Sequence, residues 1–143
     1  MIAAATETGH VTRRAEAAHH HQQVVLLVED DPHVMRILSY LLSNGGYRVV
    51  QAYGVEDAVR KLERHPVDAV LTDLAMPRLS GVHLIEYLKR NVETAHVPVV
   101  AVTAFTWDPL GRTAAELGVD GFVSKPVDRR LLLETVRRVL DRH

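Results

Sequence analysis

The 143-residue chain contains no cysteine. That excludes a disulfide framework and thiolate metal sites, and it is compatible with a reducing compartment. No apolar run approaches the roughly 20 residues that a membrane-spanning helix needs. The N-terminus lacks the basic-then-apolar order of a secretory signal, so a cytoplasmic protein is expected. An excess of one charge is absent too: the formal net charge is -1, which gives no global pull toward nucleic acid or a membrane. Aromatic residues are sparse, and Trp107 is the sole tryptophan. We read it as cover for a sheet edge, with a partner anchor as the alternative.

What is present is an ordinary globular balance, 47% hydrophobic and 24% charged, in a chain long enough for one domain with a sizeable core. Residues 1–22 are rich in Ala, Thr, His and Gln, with almost no large apolar side chains. They cannot bury enough surface to offset ordering entropy, so a disordered N-terminal tail is expected there and a single folded domain over 23–143. The triplet His19, His20, His21 reads as part of that tail, because consecutive side chains do not converge on one face to hold a metal.

From Val24 onward the chain alternates apolar runs with helical patterns. Strands are expected at 24–28, 47–53, 67–73, 97–103 and 121–125. Asp31 and Pro32 open the first helix as N-cap and first helical residue, and Gly45 and Gly46 lie past its end. Val34, Ile37, Leu38, Leu41 and Leu42 are expected to form its inner face. Further helices are expected at 55–64, 81–91, around 110–117, where Gly111 weakens the pattern, and from Asp128 to about Leu140. Strands apolar on both faces and alternating with helices indicate a parallel sheet covered on both sides. The fold class is therefore α/β, a doubly wound, flavodoxin-like five-stranded sheet of order 2-1-3-4-5 with five helices.

Ligands of such sheets bind beyond the carboxyl ends of the strands, where the strand order reverses. Strand one ends in Glu29 and Asp30, strand three in Asp73, strand four in Thr103 and strand five in Lys125. Three neighbouring carboxylates repel one another, and a hard divalent cation resolves the conflict; oxygen ligands with open positions suit Mg²⁺. Phosphoryl oxygens can then be met by the cation, by Lys125 and by the Thr103 hydroxyl. Asp73, on the central strand, is left as the nucleophile toward phosphorus. Each residue also has a plainer role: Asp31 as helix cap, Glu29 and Asp30 as solvated loop acids, Asp73 as a turn residue, Thr103 as a β-former, Lys125 as a surface cation. Their conjunction at five strand ends favours the site.

LVEDDP, LTDLAMPRLSG, VVAVTA and FVSKP, in this order and spacing, resemble the receiver domain of bacterial two-component response regulators, over about Val24 to Leu140. The resemblance implies that Asp30 ligates Mg²⁺ directly and Glu29 mainly through water. It implies that Asp73 is the phosphoacceptor, that the Ala75 backbone carbonyl completes the metal site, and that Thr103 and Phe122 form a switch pair while Lys125 binds phosphate. A cis Lys125-Pro126 bond is implied as well. Phe122 has no phenolic hydroxyl, so any switch there is a packing change. Ala75 and Phe105 offer no water-orienting group, which implies slow to moderate loss of the phosphoryl group.

The implied partner is a sensor histidine kinase or histidine phosphotransfer protein. The implied readout is a protein-interaction surface of helix four, strand five and helix five, in a monomer or weak dimer. Such a chain is a substrate of the kinase and not itself an enzyme. The arginines of the last helix spread around it without forming a stripe, so DNA reading is not expected. Alternatives on the same fold are an aspartyl-phosphate-type Mg²⁺ phosphohydrolase, which usually needs a second acid where Ala75 stands, and an unphosphorylated scaffold. A nucleotide module would want a glycine-rich phosphate loop in place of EDDPH.

Overall fold

The structure is a computed structural model and describes residues 21–104 and 108–142. Phe105 and Trp107, and almost all of the expected tail, lie outside the described residues. The elements in chain order are β1 (Val24–Val28), α1 (Pro32–Asn44), β2 (Arg48–Ala52), α2 (Val55–Arg64), β3 (Ala69–Asp73), α3 (Gly81–Arg90), β4 (Val99–Thr103), α4 (Pro109–Glu116), β5 (Gly121–Ser124) and α5 (Arg129–Asp141). The sheet is parallel throughout, in the order β2-β1-β3-β4-β5. The fold class and strand order are thus those expected.

Alternation along β1 divides the core. Val24, Leu26 and Val28 face α2, α3 and α4, meeting Ala58, Leu84, Ile85 and Leu88. Val25 and Leu27 face α1 and α5, meeting Met35, Leu38, Leu42, Leu132 and Val136. Every residue of β1, β3 and β4 is buried. The edge strand β2 instead runs from exposed Arg48 to buried Ala52, as an outer strand with one open side should.

Apart from β1, which spans the expected residues, the strands are shorter than the apolar runs suggest, and carboxylates close the starts of β1 and β4. The Asp68 carboxylate accepts from the Val24 N–H at 2.7 Å, and that of Asp120 accepts from the Val99 N–H at 2.8 Å. Each satisfies a first strand donor that has no ladder partner. One inward assignment is corrected: Ile37 is 58% exposed, and the buried positions of α1 are Met35, Leu38 and Leu42. Those three fall within one narrow arc at 100° per residue, and Ile37 lies about 100° away from Leu38. In α4, Asp108 caps the Gly111 N–H at 2.8 Å and Gly111 is buried, so this glycine sits in the first turn and does not interrupt the helix.

Candidate functional site

The parallel register places the C-terminal ends of β1, β3, β4 and β5 side by side. Val28 is opposite Thr72, Asp73 opposite Val102, and Thr103 opposite Ser124. The residues that follow these ends are then held by backbone bonds. The Glu29 N–H reaches the Ala52 carbonyl at 3.0 Å, and the Lys125 N–H reaches that of Thr103 at 3.0 Å. Lys125 therefore stays in register although β5 proper ends at Ser124.

Carboxylate oxygens of Glu29, Asp30 and Asp73 lie within 4.8 Å of one another. Glu29 is 1% exposed and Asp73 4%. The Lys125 ammonium sits 3.5 Å from Glu29 Oε1 and 3.3 Å from Asp73 Oδ2. Asp73 Oδ1 accepts from the Ala75 N–H at 3.3 Å, and Glu29 Oε2 accepts from the Asp31 N–H at 3.0 Å. The Asp31 side chain caps α1, accepting from the His33 and Val34 N–H groups at 2.8 and 3.3 Å, so it is turned to the helix. Thr103 is buried at the end of β4. Phe122 is half-buried and packs against the α2–α4 side of the core. The Lys125-Pro126 bond is cis. All of the strand-end residues singled out in the sequence thus border one rim.

The arrangement is electrostatically uneasy. Burial raises the pKa of Glu29; the Asp31 N–H opposes that, the Asp73 charge adds to it, and Lys125 opposes it. Burial raises Asp73 as well, against Lys125 and the Ala75 N–H, with Asp30 adding to the rise. One lysine does not satisfy the cluster. Among the described residues, Glu29 Oε1 is a buried side-chain oxygen without a hydrogen-bond partner. An oxygen-only donor set with a buried, unsatisfied anionic oxygen fits a hard cation such as Mg²⁺.

A stability prediction follows from the sign of these shifts. A carboxyl whose folded pKa is raised binds its proton more tightly folded than unfolded, so stability falls as pH climbs from the unfolded pKa through the folded one. In chelator at neutral pH, Glu29→Gln is expected to be more stable than wild type. The difference should vanish as pH falls below 4.5, the ordinary value for this group. Urea melts at several pH values check this; a variant less stable than wild type at neutral pH contradicts it.

Sequence reading missed Arg78 and Glu56. Arg78 has a left-handed backbone, φ 66°, in the turn that follows Asp73, and its guanidinium pairs with the Glu56 carboxylate near the start of α2. Nothing in MPRLSG signals a positive φ at arginine, a conformation that ordinarily selects Gly or Asn.

Residues 25–137 match the model of the response regulator receiver domain. Response regulator GtcR of Aneurinibacillus migulanus is 34% identical over 111 residues, 78% of this chain and 43% of that protein. The polar-differentiation response regulator DivK of Brucella ovis is 29% identical over 112 residues, 78% of this chain and 91% of DivK. Among solved structures, the receiver domain of the sensor histidine kinase PA1611 of Pseudomonas aeruginosa, described with a magnesium ion coordinated in its active-site cleft, superposes with a TM-score of 0.78 at 29% identity. That match covers 85% of this chain and 99% of that one. Among the described residues no helix is long and apolar enough to cross a membrane. With the five-stranded order, the acidic cluster at the strand ends and a family match over most of its length, the chain belongs to the response regulator receiver domain family of two-component signalling.

Proposed function

We propose that the chain accepts a phosphoryl group from a phosphohistidine of a sensor kinase or phosphotransfer protein onto Asp73, with Mg²⁺. The observation that carries the reading is Asp73 itself. It is a buried carboxylate at the end of a central strand, with Oδ2 3.3 Å from the Lys125 ammonium and two further carboxylates beside it.

Asp30, Asp73 and the Ala75 carbonyl would hold the cation directly, and Glu29 mainly through water. When bound, the cation neutralises the carboxylates and part of the phosphoryl charge. The remaining work belongs to the chain. The Ala75 N–H fixes Oδ1 of Asp73, leaving a carboxylate oxygen to attack phosphorus. The P–N bond to the donor imidazole breaks as the P–O bond to Asp73 forms, and the imidazole leaves and takes up a proton. Lys125 and the Thr103 hydroxyl meet phosphoryl oxygens in the transition state and in the product.

The new charge biases Thr103 and Phe122 between two packings, and the result is read over α4, β5 and α5. Leu131, 58% exposed on α5, supports that surface as a partner contact. In this role the chain is the kinase's substrate and turns over no free substrate of its own. Ala75, exposed and lacking any polar side-chain atom, gives attacking water nothing to lean on, so the phosphoryl group is expected to persist for minutes or longer. Decay of the labelled protein after removal of the donor measures this, and a half-life of a few seconds contradicts it.

The test of the reading is intact mass after incubation with a small acyl phosphate. One phosphoryl group is expected with Mg²⁺ and none with chelator. No labelling under either condition defeats the reading.

A further inference from the structure

From the position of Arg78 we infer that its ion pair with Glu56 is a clamp that positions the metal-binding turn, making Arg78 a positioning residue for Mg²⁺. The inference rests on the functional reading above, in which the Ala75 carbonyl is a ligand.

The turn from Leu74 to Ser80 joins β3 to α3. It is held at its base by the Gly81 N–H on the Leu74 carbonyl at 2.9 Å, and internally by the Leu79 N–H on that of Pro77 at 2.8 Å. The Ala75 N–H is spent on Asp73 at 3.3 Å. Leu74 and Met76 are buried in the core, Leu79 packs against it, and the Leu74 N–H bonds the Val102 carbonyl at 3.1 Å; the exposed part of the turn is joined to another element by the ion pair of Arg78 with Glu56. Both residues line a cleft of about 400 Å³ that also has Asp30, Tyr53 and Arg60 among its walls and Met76 on the turn itself. The cleft therefore opens directly beside the carboxylate cluster.

Two facts argue that Arg78 is not there for stability. Among the described residues it is the non-glycine with a left-handed backbone, a conformation disfavoured for any residue with a Cβ. Its pair is also exposed, at 76% for Arg78 and 58% for Glu56, where an ion pair adds little to folding. A strained residue on the turn that presents a ligand points to function. Glu56 stands in the first turn of α2, an element separate from the turn. Tied to it, the turn has fewer orientations to lose when the cation binds.

Charge and position predict opposite signs, which makes the inference testable. Removing a cation near three carboxylates should tighten Mg²⁺ binding if only charge matters. Removing a clamp should weaken it. Titration calorimetry with MgCl₂ is expected to show Arg78→Ala binding about 3- to 5-fold more weakly than wild type, the range an exposed pair can supply. In a Glu56→Gln background the same substitution should no longer weaken binding. Arg78→Gly, which removes the backbone strain, should show the same loss of affinity with a melting temperature at or above wild type, which separates positioning from folding.

Unchanged or tighter binding by Arg78→Ala overturns the clamp, as does a loss that persists undiminished without Glu56. If wild type itself shows no saturable Mg²⁺ binding, it is the functional reading that fails.

Discussion

Asp73→Asn is expected to abolish phosphoryl uptake, lowering labelling by a small acyl phosphate by about 100-fold or more, because an amide is not a nucleophile toward phosphorus. The substitution is close to isosteric. The Asn carbonyl oxygen can still accept from the Ala75 N–H, which Asp73 Oδ1 does at 3.3 Å. The end of β3 can therefore keep its shape. What changes is charge. Lys125 loses its contact with Asp73 Oδ2 and keeps the one with Glu29 Oε1. Burial and the Asp30 charge already work against an ionised Asp73, so neutralising it relieves the apo fold. An inactive variant at least as stable as wild type in chelator would place the defect in the chemistry. Intact mass with Mg²⁺, beside a melt of the same preparation, makes that separation. Equal labelling of wild type and Asp73→Asn would show that another side chain takes the phosphoryl group.

The legibility of this site in the sequence has a physical origin. A strand covered on both faces is apolar along its whole length, so the first polar residue after it marks where the strand leaves the core. Glu29 after Val28 and Thr103 after Val102 are such transitions, and Asp73 is the first charged residue of β3, after a buried Thr72. The parallel register then lines them up with no further information. Helix faces were less legible. Ile37 and Met35 are both good core residues, and pattern alone favoured the wrong one. The choice depends on how α1 is rotated against β1 and α5, which neighbouring turns do not encode. The strand-end caps from Asp68 and Asp120 act on strands 44 and 21 residues away in sequence, beyond the reach of local reading. Arg78 was illegible for a third reason. Its left-handed backbone is imposed by the turn and its partner lies on another element, so the identity of the residue argues against the conformation it adopts.

The close approach of α3 to the end of β3 makes Gly81→Ala the substitution with the largest expected effect on stability, a loss of about 3 kcal/mol, at the upper end for overpacking a tight site. A Cβ at Gly81 would overlap the Asp73 carbonyl oxygen and lie 3.0 Å from Leu74 Cα. These are backbone atoms of the strand end, so no side chain can rotate to make room. Either α3 shifts, disturbing the packing of Val82, Leu84, Ile85 and Leu88, or the end of β3 moves and takes Asp73 with it. Two other glycines separate this steric effect from backbone preference. Gly46 has φ +102° with nothing near its missing Cβ, so Gly46→Ala carries the left-handed penalty alone, about 1 kcal/mol. Gly54 has open space around it and an extended backbone with φ 173°, so Gly54→Ala should be close to neutral. Urea denaturation of the three variants should rank them Gly54, Gly46, Gly81 in order of increasing loss. If Gly81→Ala is as stable as Gly54→Ala, the close approach of α3 to the Asp73 carbonyl is not a feature of the folded protein in solution.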